Sequence, residues 1–162
     1  MTDAAVSIRR ATPADGEAVC ALVEALLEYE HIGPMTEGAH ERLVRDMFAP
    51  GTPLTTFVAE QGGRLVGYAI VYETYSTLRA RPRLFIEDIF VRPEARGTGA
   101  GYALFREAVR HAAERGCALV EWQVLTWNRL ALDFYERLGG KRDTEWYTYR
   151  LGEDRMRALL EG

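Results

Sequence analysis

Hydrophobic positions along the chain recur with two different periods, and each period predicts a different kind of element. Over residues 19–27 apolar side chains return every third or fourth position, which is typical of an amphipathic helix. Over 55–60 and 64–75 the chain is instead rich in β-branched and aromatic residues, which favours strands. Gln61-Gly62-Gly63 lies between these two segments and predicts a hairpin turn.

Turn and capping residues mark the boundaries of other elements. Thr12-Pro13-Ala14-Asp15 is typical of a helix start, and Gly116 is well placed as a helix-ending glycine. The resulting order, β-α-α-β-β-β-α-β-α-β, predicts an α/β protein with a mixed, mostly antiparallel central sheet flanked by helices, and not a doubly wound sheet. The predicted strands are 6–10, 55–60, 64–75, 84–91, 119–125 and 145–151, and the predicted helices are 12–30, 37–48, 97–115 and 128–138, followed by a short helix over 153–160.

Length and charge narrow the class of protein. The 162 residues suit a single domain, 1–162, with a real hydrophobic core, since 48% of them are hydrophobic. A formal net charge of -4 argues against a nucleic-acid partner, which would need a basic surface. The apolar runs fall far short of the roughly 20 residues of a membrane span, and no signal-peptide pattern opens the sequence, so we expect a cytoplasmic protein without a membrane partner. Cys20 and Cys117 lack metal-ligand spacing, so we expect free thiols and no metal.

The segment most informative about chemistry leads from a predicted strand into a predicted helix. Gly97, Gly99 and Gly101 lie at the helix start, where backbone N–H groups unobstructed by side chains bind phosphates well. A turn that needs positive φ angles explains the same glycines, and both interpretations stay open here. A P-loop would need Lys and Ser or Thr where Tyr102 and Ala103 stand, and the G-x-G-x-G spacing in mid-chain does not fit a dinucleotide-binding fingerprint.

Two segments together resemble one known family. Arg96-Gly97-Thr98-Gly99-Ala100-Gly101 is similar to the Arg/Gln-x-x-Gly-x-Gly/Ala loop of the GNAT superfamily of acyl-CoA-dependent N-acetyltransferases. Residues 128–140, with the sequence NRLALDFYERLGG, resemble the second signature helix of that family. The resemblance covers the domain from Ile8 onward and implies a GNAT-like fold.

Shorter segments resemble the diamine branch of this family, the spermidine/spermine and thialysine N-acetyltransferases. They are LLEYE at 26–30, YETYST at 72–77, LFIEDIFV at 84–91 and the pair Trp127-Asn128. Members of that branch usually carry an aromatic residue where Leu78 stands, in a loop that helps to line the amine site. The resemblance therefore implies a diamine-type acetyltransferase and a homodimer, but leaves the particular amine open.

The resemblance also implies acetyl-CoA as the cofactor and assigns residues to its parts. The pantetheine arm would pair with the backbone at 89–91, and the pyrophosphate would lie on the amides of the glycine-rich loop. Asn128 would hold the pantetheine arm beside a helix start. The implied cofactor-binding residues are Ile89, Phe90, Val91, Arg96, Gly97, Thr98, Gly99, Ala100, Gly101, Tyr102, Asn128, Arg129, Leu130 and Ala131.

Acetylation of an amine needs a proton acceptor and a proton donor. An alkylammonium group with a pKa near 10.4 is only about 0.04% neutral at pH 7, so a carboxylate has to take its proton. Glu87 is the candidate, either as this base or as the group that binds the ammonium, and the sequence does not separate the two roles. Tyr135, about two helical turns after Asn128, is the candidate acid for the leaving thiolate. Asp88 is expected on the opposite face of the strand from Glu87, in a structural role.

Acidic and aromatic residues expected near the amine indicate the kind of substrate. Tyr29, Glu30, Glu73 and Glu87 would line a site whose negative charge attracts a cation. We therefore expect acetylation of a small primary amine, such as a polyamine, a diamine or a lysine-like amino acid, by direct attack in a ternary complex. Two alternatives stay open: a protein, peptide or aminoglycoside-like amine as substrate, and an acyl-CoA-binding module without turnover.

Overall fold

The computed structural model describes residues 5–161 and contains a five-stranded sheet flanked by helices. The strands are β1 (Ser7–Arg10), β2 (Thr55–Gln61), β3 (Arg64–Ser76), β4 (Arg81–Val91) and β5 (Val120–Trp122). The helices are α1 (Gly16–Tyr29), α2 (Ala39–Phe48), α3 (Ala100–Glu114), α4 (Arg129–Arg137) and α5 (Glu153–Glu161), with short 3-10 helices at Pro13–Asp15 and Pro93–Ala95. Contacts group the residues up to Gln123 into one compact unit and those from Val124 onward into a second.

Strands of the sheet are neighbours in chain order, from β1 to β5. β1 to β4 pair antiparallel, whereas β4 and β5 are parallel, so the sheet is mixed and mostly antiparallel. The turn predicted at 61–63 joins β2 to β3 as an antiparallel hairpin. The fold class predicted from the sequence is confirmed.

Each face of the sheet has its own hydrophobic cluster. On one face, which we call the α3 face, Leu84 and Ile86 of β4 pack in a cluster with Leu104 of α3. On the other, the α1 face, Tyr68 of β3 and Phe90 of β4 share a cluster with side chains of α1 and α2. Which face a polar residue of β3 or β4 occupies therefore decides which other groups it meets.

The start of the first helix is stabilised as the sequence predicts. Thr12 and Asp15 form a capping box, in which the Thr12 backbone N–H and hydroxyl both donate to the Asp15 carboxylate. Arg9 of β1 donates two further hydrogen bonds to Asp15, at 2.7 and 2.9 Å. The Arg9 guanidinium is the main reason that the pKa of Asp15 lies well below its usual range. This ion pair joins α1 to the first strand.

The strand predicted over 145–151 is not formed. Residues 141–152 lie outside every helix and strand that the structure describes, and Trp146, Tyr147 and Tyr149 are largely exposed. Alternating aromatic residues supply the local pattern of a strand, but a strand also needs a partner edge for its N–H and C=O groups. The other predicted elements are present, with ends displaced by a few residues.

Three further features bear on the class of protein. Within residues 5–161, no helix is long and apolar enough to cross a membrane. Cys20 and Cys117 are free thiols, as predicted, with Cys20 buried and Cys117 partly buried. In the same part of the chain, His, Cys, Asp and Glu side chains do not gather in any group of three that could hold a metal ion.

Candidate active site

The glycine-rich segment connects the end of β4 to the start of α3. Gly97 and Gly99 have φ angles of 81° and 88°, so the turn itself favours glycine at both positions. Gly99 is the N-cap of α3, and the first bond of the helix runs from the Ala103 amide to the Gly99 carbonyl. The amides of residues 100–102 precede that bond and therefore have no carbonyl partner within the helix.

The surroundings of these amides fit an anionic ligand. A Cβ atom on Gly97 or Gly99 would meet no atom within 4 Å, so the space beside the loop is open. The first turn of α3 carries no acidic side chain that would compete for the amides. The Thr98 hydroxyl donates to the Ala95 carbonyl at 2.7 Å and so braces the loop. The tight turn and a phosphate-binding role are compatible, because the turn depends on the φ angles of Gly97 and Gly99, whereas phosphate binding depends on the amides of residues 100–102.

Arg96 lies between this loop and the end of α1. Its Nε donates to the Val91 carbonyl at 3.2 Å, and its guanidinium carbon lies 4.7 Å from the centre of the Tyr29 ring. The Phe90 ring is the second aromatic neighbour, at 6.0 Å. A residue predicted to bind the cofactor therefore contacts a residue predicted to line the amine site, through a cation–π interaction.

One edge of β4 extends beyond its neighbour. β5 pairs with residues 84–86 of β4, whereas β4 itself continues to Val91. The stretch 87–91 therefore runs past the pairing with β5, just before the glycine-rich loop. An extended ligand can bind such an edge through main-chain hydrogen bonds. Ile89, Phe90 and Val91, the residues predicted to contact the pantetheine arm, belong to this stretch.

A β-bulge in β4 determines where its two carboxylates point. Val71 and Ile70 of β3 pair with Ile86 and Asp88, so Glu87 is an extra residue between them. The alternation of β4 side chains shifts by one position there, and Glu87 and Asp88 both lie on the α1 face. The expectation that Asp88 faces away from Glu87 is wrong, because it assumed a regular strand.

Hydrogen bonds to β3 show the same arrangement. The Tyr72 hydroxyl donates to Glu87 at 3.0 Å, and the Tyr68 hydroxyl donates to Asp88 at 3.1 Å. Tyr68 and Tyr72, four positions apart on one strand, lie on the same side of it. Glu87 is exposed, whereas Asp88 is partly buried. Burial raises the pKa of Asp88 to about 6, and the negative charges of Glu87 and Glu30 add to this rise, while the Tyr68 hydrogen bond opposes it.

Glu30 adds a third carboxylate at the end of α1. It is the C-cap residue of that helix, directly after Tyr29, and burial raises its pKa. Its charge also acts on Asp88 and on Tyr68. The structure therefore brings together three of the predicted amine-site residues, Tyr29, Glu30 and Glu87, and adds Asp88.

Glu73 is not brought to this cluster. It pairs in register with Leu84, a core residue of the α3 face, so its side chain lies on that face. There its carboxylate forms an ion pair with the Arg115 guanidinium. A residue next to Tyr72 on a regular strand points to the opposite side, which explains why Glu73 and Glu87 are separated.

The remaining predicted site residues belong to α4. Asn128 is the buried N-cap of this helix, and its side-chain oxygen accepts a hydrogen bond from the Ala131 amide at 3.2 Å. Arg129 pairs with Asp133, one turn later, at 3.3 Å, and Leu130 is largely exposed. Asn128 therefore caps α4, whereas its contact with a pantetheine arm stays a prediction. The proton-donor role of Tyr135 also stays a prediction.

Sequence reasoning missed Tyr68, Tyr72 and the orientation of Asp88. A signal for the bulge was present, because apolar residues of the α3 face stand at 84 and 86 and then at 89 and 91. An even spacing would continue through 88, so the alternation changes phase at the Glu-Asp pair. The hydrogen bonds from β3 depend on strand register, which local pattern does not determine.

Comparison with known proteins identifies a family and related sequences. The model of the family described as Acetyltransferase (GNAT) family matches residues 21–140. Thialysine N-epsilon-acetyltransferase of Sus scrofa is 34% identical over 167 residues, which cover 96% of this chain and 98% of that protein.

Two solved structures show the same fold. Integron cassette protein VCH_CASS6, from the mobile metagenome of V. cholerae, has a TM-score of 0.83 at 20% identity, covering 98% of this chain and 99% of that one. Aminoglycoside N-acetyltransferase AAC(6')-Iy, solved in complex with CoA, has a TM-score of 0.77 at 20% identity, covering 91% and 95% of the two chains.

The fold, the glycine-rich helix start and these relatives define an enzyme of the N-acetyltransferase class. The chain belongs to the acetyltransferase (GNAT) family, whose model matches it from α1 to the end of α4. The matched residues include both the glycine-rich loop and the Asn128 helix, the two segments on which the sequence resemblance rests. That resemblance is confirmed.

Proposed function

We propose that this enzyme transfers the acetyl group of acetyl-CoA to a primary amine of a small cationic substrate by direct attack in a ternary complex. The substrate class is a polyamine, a diamine or a lysine-like amino acid. The observation that carries the proposal is the group of three carboxylates on the α1 face, Glu30, Glu87 and Asp88, together with the contact between Tyr29 and Arg96, the residue that opens the glycine-rich loop. Such a group attracts a cation. The name of the Sus scrofa relative, which specifies the N-epsilon of thialysine, supports the same class.

In this proposal the first turn of α3 and the part of β4 beyond its pairing with β5 bind acetyl-CoA. The amides of residues 100–102 would receive the pyrophosphate, because they have no partner in the helix and point outward at its positive end. The backbone of 89–91 would pair with the pantetheine arm. When bound, acetyl-CoA supplies the thioester carbonyl that the amine attacks.

Two proton transfers then remain for the side chains. A carboxylate of the α1 face takes a proton from the substrate ammonium, which frees the nitrogen lone pair for attack. Tyr135 donates its hydroxyl proton to the departing sulfur, since a phenol has an ordinary pKa of about 10, close to that of the thiol at about 8.5. We also propose that the enzyme is a homodimer, as the family resemblance implies, and that it acts in the cytoplasm.

The acidic cluster predicts a preference for substrates with two positive charges. The kcat/KM of a diamine is expected to be about 10- to 150-fold higher than that of a monoamine of equal length, because the diamine forms one additional charge-assisted hydrogen bond. Glu30→Gln is expected to narrow that ratio, and added salt is expected to shrink it in the wild type. Initial rates with both amines, at low and high salt, measure the ratio.

Glu28→Gln is the matched control for this experiment. Glu28 lies on the same helix end, is exposed, and loses the same charge on substitution. The ratio of kcat/KM for the diamine to that for the monoamine is expected to be the same in Glu28→Gln as in the wild type. Equal rates for the two amines at low salt would contradict the proposed cationic-amine site, and the enzyme would then be an amine acetyltransferase of another specificity.

A further inference from the structure

The two adjacent carboxylates of β4 have different surroundings although they share a face. Glu87 is exposed and accepts one hydrogen bond, from the Tyr72 hydroxyl. Asp88 is partly buried and accepts a hydrogen bond from Tyr68, whose ring is completely buried in the cluster of the α1 face. When two neighbouring acids experience such different environments, their chemical roles commonly differ as well.

We propose that Asp88 takes the proton from the attacking amine, while Glu87 holds the substrate ammonium by charge. The assignment rests on the proposed function and completes it, because it decides which of the clustered carboxylates is the base. Tyr68 is a positioning residue in this assignment: its hydrogen bond holds the Asp88 carboxylate in one orientation.

The environment of Asp88 supports a base at this position. A general base works best when its pKa lies near the pH of the reaction, because it is then both ionised and able to hold a proton. Burial brings the pKa of Asp88 to about 6, well above the usual value of about 3.9. Tyr68 does not compete as the base, since burial keeps its pKa well above 10 and its hydroxyl therefore stays protonated.

Charged or titratable groups near Asp88 and Tyr68 shift the pKa values of these two residues. Glu87 of β4 and Glu30 at the end of α1 raise the pKa of Asp88 through their negative charge. Cys20 of α1 acts on Tyr68 from the same side. The Arg96 guanidinium contacts the Tyr29 ring and the Val91 carbonyl instead. The charged groups that act on the Asp88 carboxyl are therefore acidic.

The proposed step balances in protons and bonds. One proton passes from the substrate ammonium to the Asp88 carboxylate, and the freed nitrogen forms a bond to the acetyl carbonyl carbon. The bond from that carbon to the CoA sulfur breaks, and the sulfur takes a proton, in our proposal from Tyr135. The acetylated nitrogen loses its second proton to water, Tyr135 regains a proton from water, and Asp88 releases its proton to water before the next turnover, so each turnover releases one proton overall.

The pH dependence of kcat separates the two carboxylates. The wild type, assayed with acetyl-CoA and a diamine, is expected to lose activity as the pH falls through about 6. Asp88→Asn keeps the shape of the side chain and an acceptor for Tyr68, and is expected to lower kcat by about 100- to 10,000-fold. Glu87→Gln is expected to keep this loss of activity at low pH (the acidic limb), moved to lower pH because the charge of Glu87 raises the pKa of Asp88. It is also expected to raise the KM of the diamine by about 10- to 150-fold.

Two further measurements exclude a merely structural effect. Tyr68→Phe removes the hydrogen bond that lowers the pKa of Asp88, so the acidic limb is expected to move to higher pH. A fluorinated amine that is largely deprotonated at pH 8 has no ammonium proton to lose before it attacks, so Asp88→Asn is expected to impair its acetylation much less than that of the diamine. Acetyl-CoA titration calorimetry confirms that each variant is folded.

The outcomes distinguish this assignment from the proposed function. If Asp88→Asn keeps both kcat and the acidic limb while Glu87→Gln loses them, Glu87 is the base and the assignment is overturned, although the proposed function stands. If the folded wild type binds acetyl-CoA but releases no CoA with any amine, the proposed function fails and the assignment fails with it.

Discussion

Gly101→Glu is expected to weaken acetyl-CoA binding by at least about 100-fold, because like charges brought together at an interface cost several kcal/mol. Gly101 lies in the first turn of α3, where the amides without helical partners are proposed to receive the pyrophosphate. A Cβ atom there would meet only Val91, at 3.8 Å, which is an ordinary contact. The substitution therefore changes the charge at the helix start while the fold is retained. Isothermal titration calorimetry with acetyl-CoA measures the effect.

Two control variants separate charge from shape. Gly101→Ala adds a methyl group without charge, and its affinity shows how closely the ligand approaches the backbone. Gly152→Glu makes the same charge change at a position where a Cβ atom has no neighbour within 4 Å, and it is expected to leave the affinity unchanged. An unchanged affinity in a folded Gly101→Glu variant would remove the phosphate-binding assignment of the glycine-rich loop.

Tyr135→Phe is expected to lower the rate of the chemical step by roughly 100-fold, the usual contribution of a general acid. The substitution keeps the ring beside Phe134, whose centre lies 5.1 Å from that of Tyr135, and removes only the hydroxyl. Folding and acetyl-CoA affinity are therefore expected to survive. Single-turnover measurement is the appropriate assay, because slow product release would hide the effect on kcat.

The matched control for this variant is Tyr149→Phe. Tyr149 is 92% exposed and lies outside every described helix and strand, so its hydroxyl has no predicted role. Its single-turnover rate is expected to equal that of the wild type. A wild-type rate in Tyr135→Phe would show that Tyr135 contributes packing alone and that the sulfur receives its proton from another donor.

Most of the sheet and the helices could be predicted because their signals are local. The apolar spacing of α1, the hairpin between β2 and β3 and the glycines before α3 each depend on neighbours within a few residues. The same holds for the Asn128 cap, whose hydrogen-bond partner lies three residues away. Short-range patterns of this kind are what sequence reasoning detects best.

The predictions that the structure does not bear out concern properties that depend on strands distant in sequence. The segment 145–151 has the alternation of a strand, yet pairing requires a partner edge that the alternation does not supply. The structure separates Glu73 from the acids with which the sequence groups it, and it places Asp88 on the same face as Glu87, for two different reasons. Glu73 was grouped by charge although its position on β3 faces α3, and Asp88 was counted along a strand that contains a bulge. A single inserted residue moves every later side chain of the strand to the opposite face of the sheet from the one that regular alternation predicts.

The central claim, that the enzyme acetylates small cationic amines, is tested most directly by one assay. The wild type is mixed with acetyl-CoA and a panel of amines that includes monoamines, diamines, polyamines, a lysine-like amino acid, a peptide and an aminoglycoside. Free thiol is followed over time, and the products are identified by mass spectrometry. The proposed function predicts thiol release that is fastest with the small amines carrying a second positive charge, together with one acetyl group on the amine. Acetyl-CoA binding without thiol release above the rate of hydrolysis, with every amine of the panel, would contradict it.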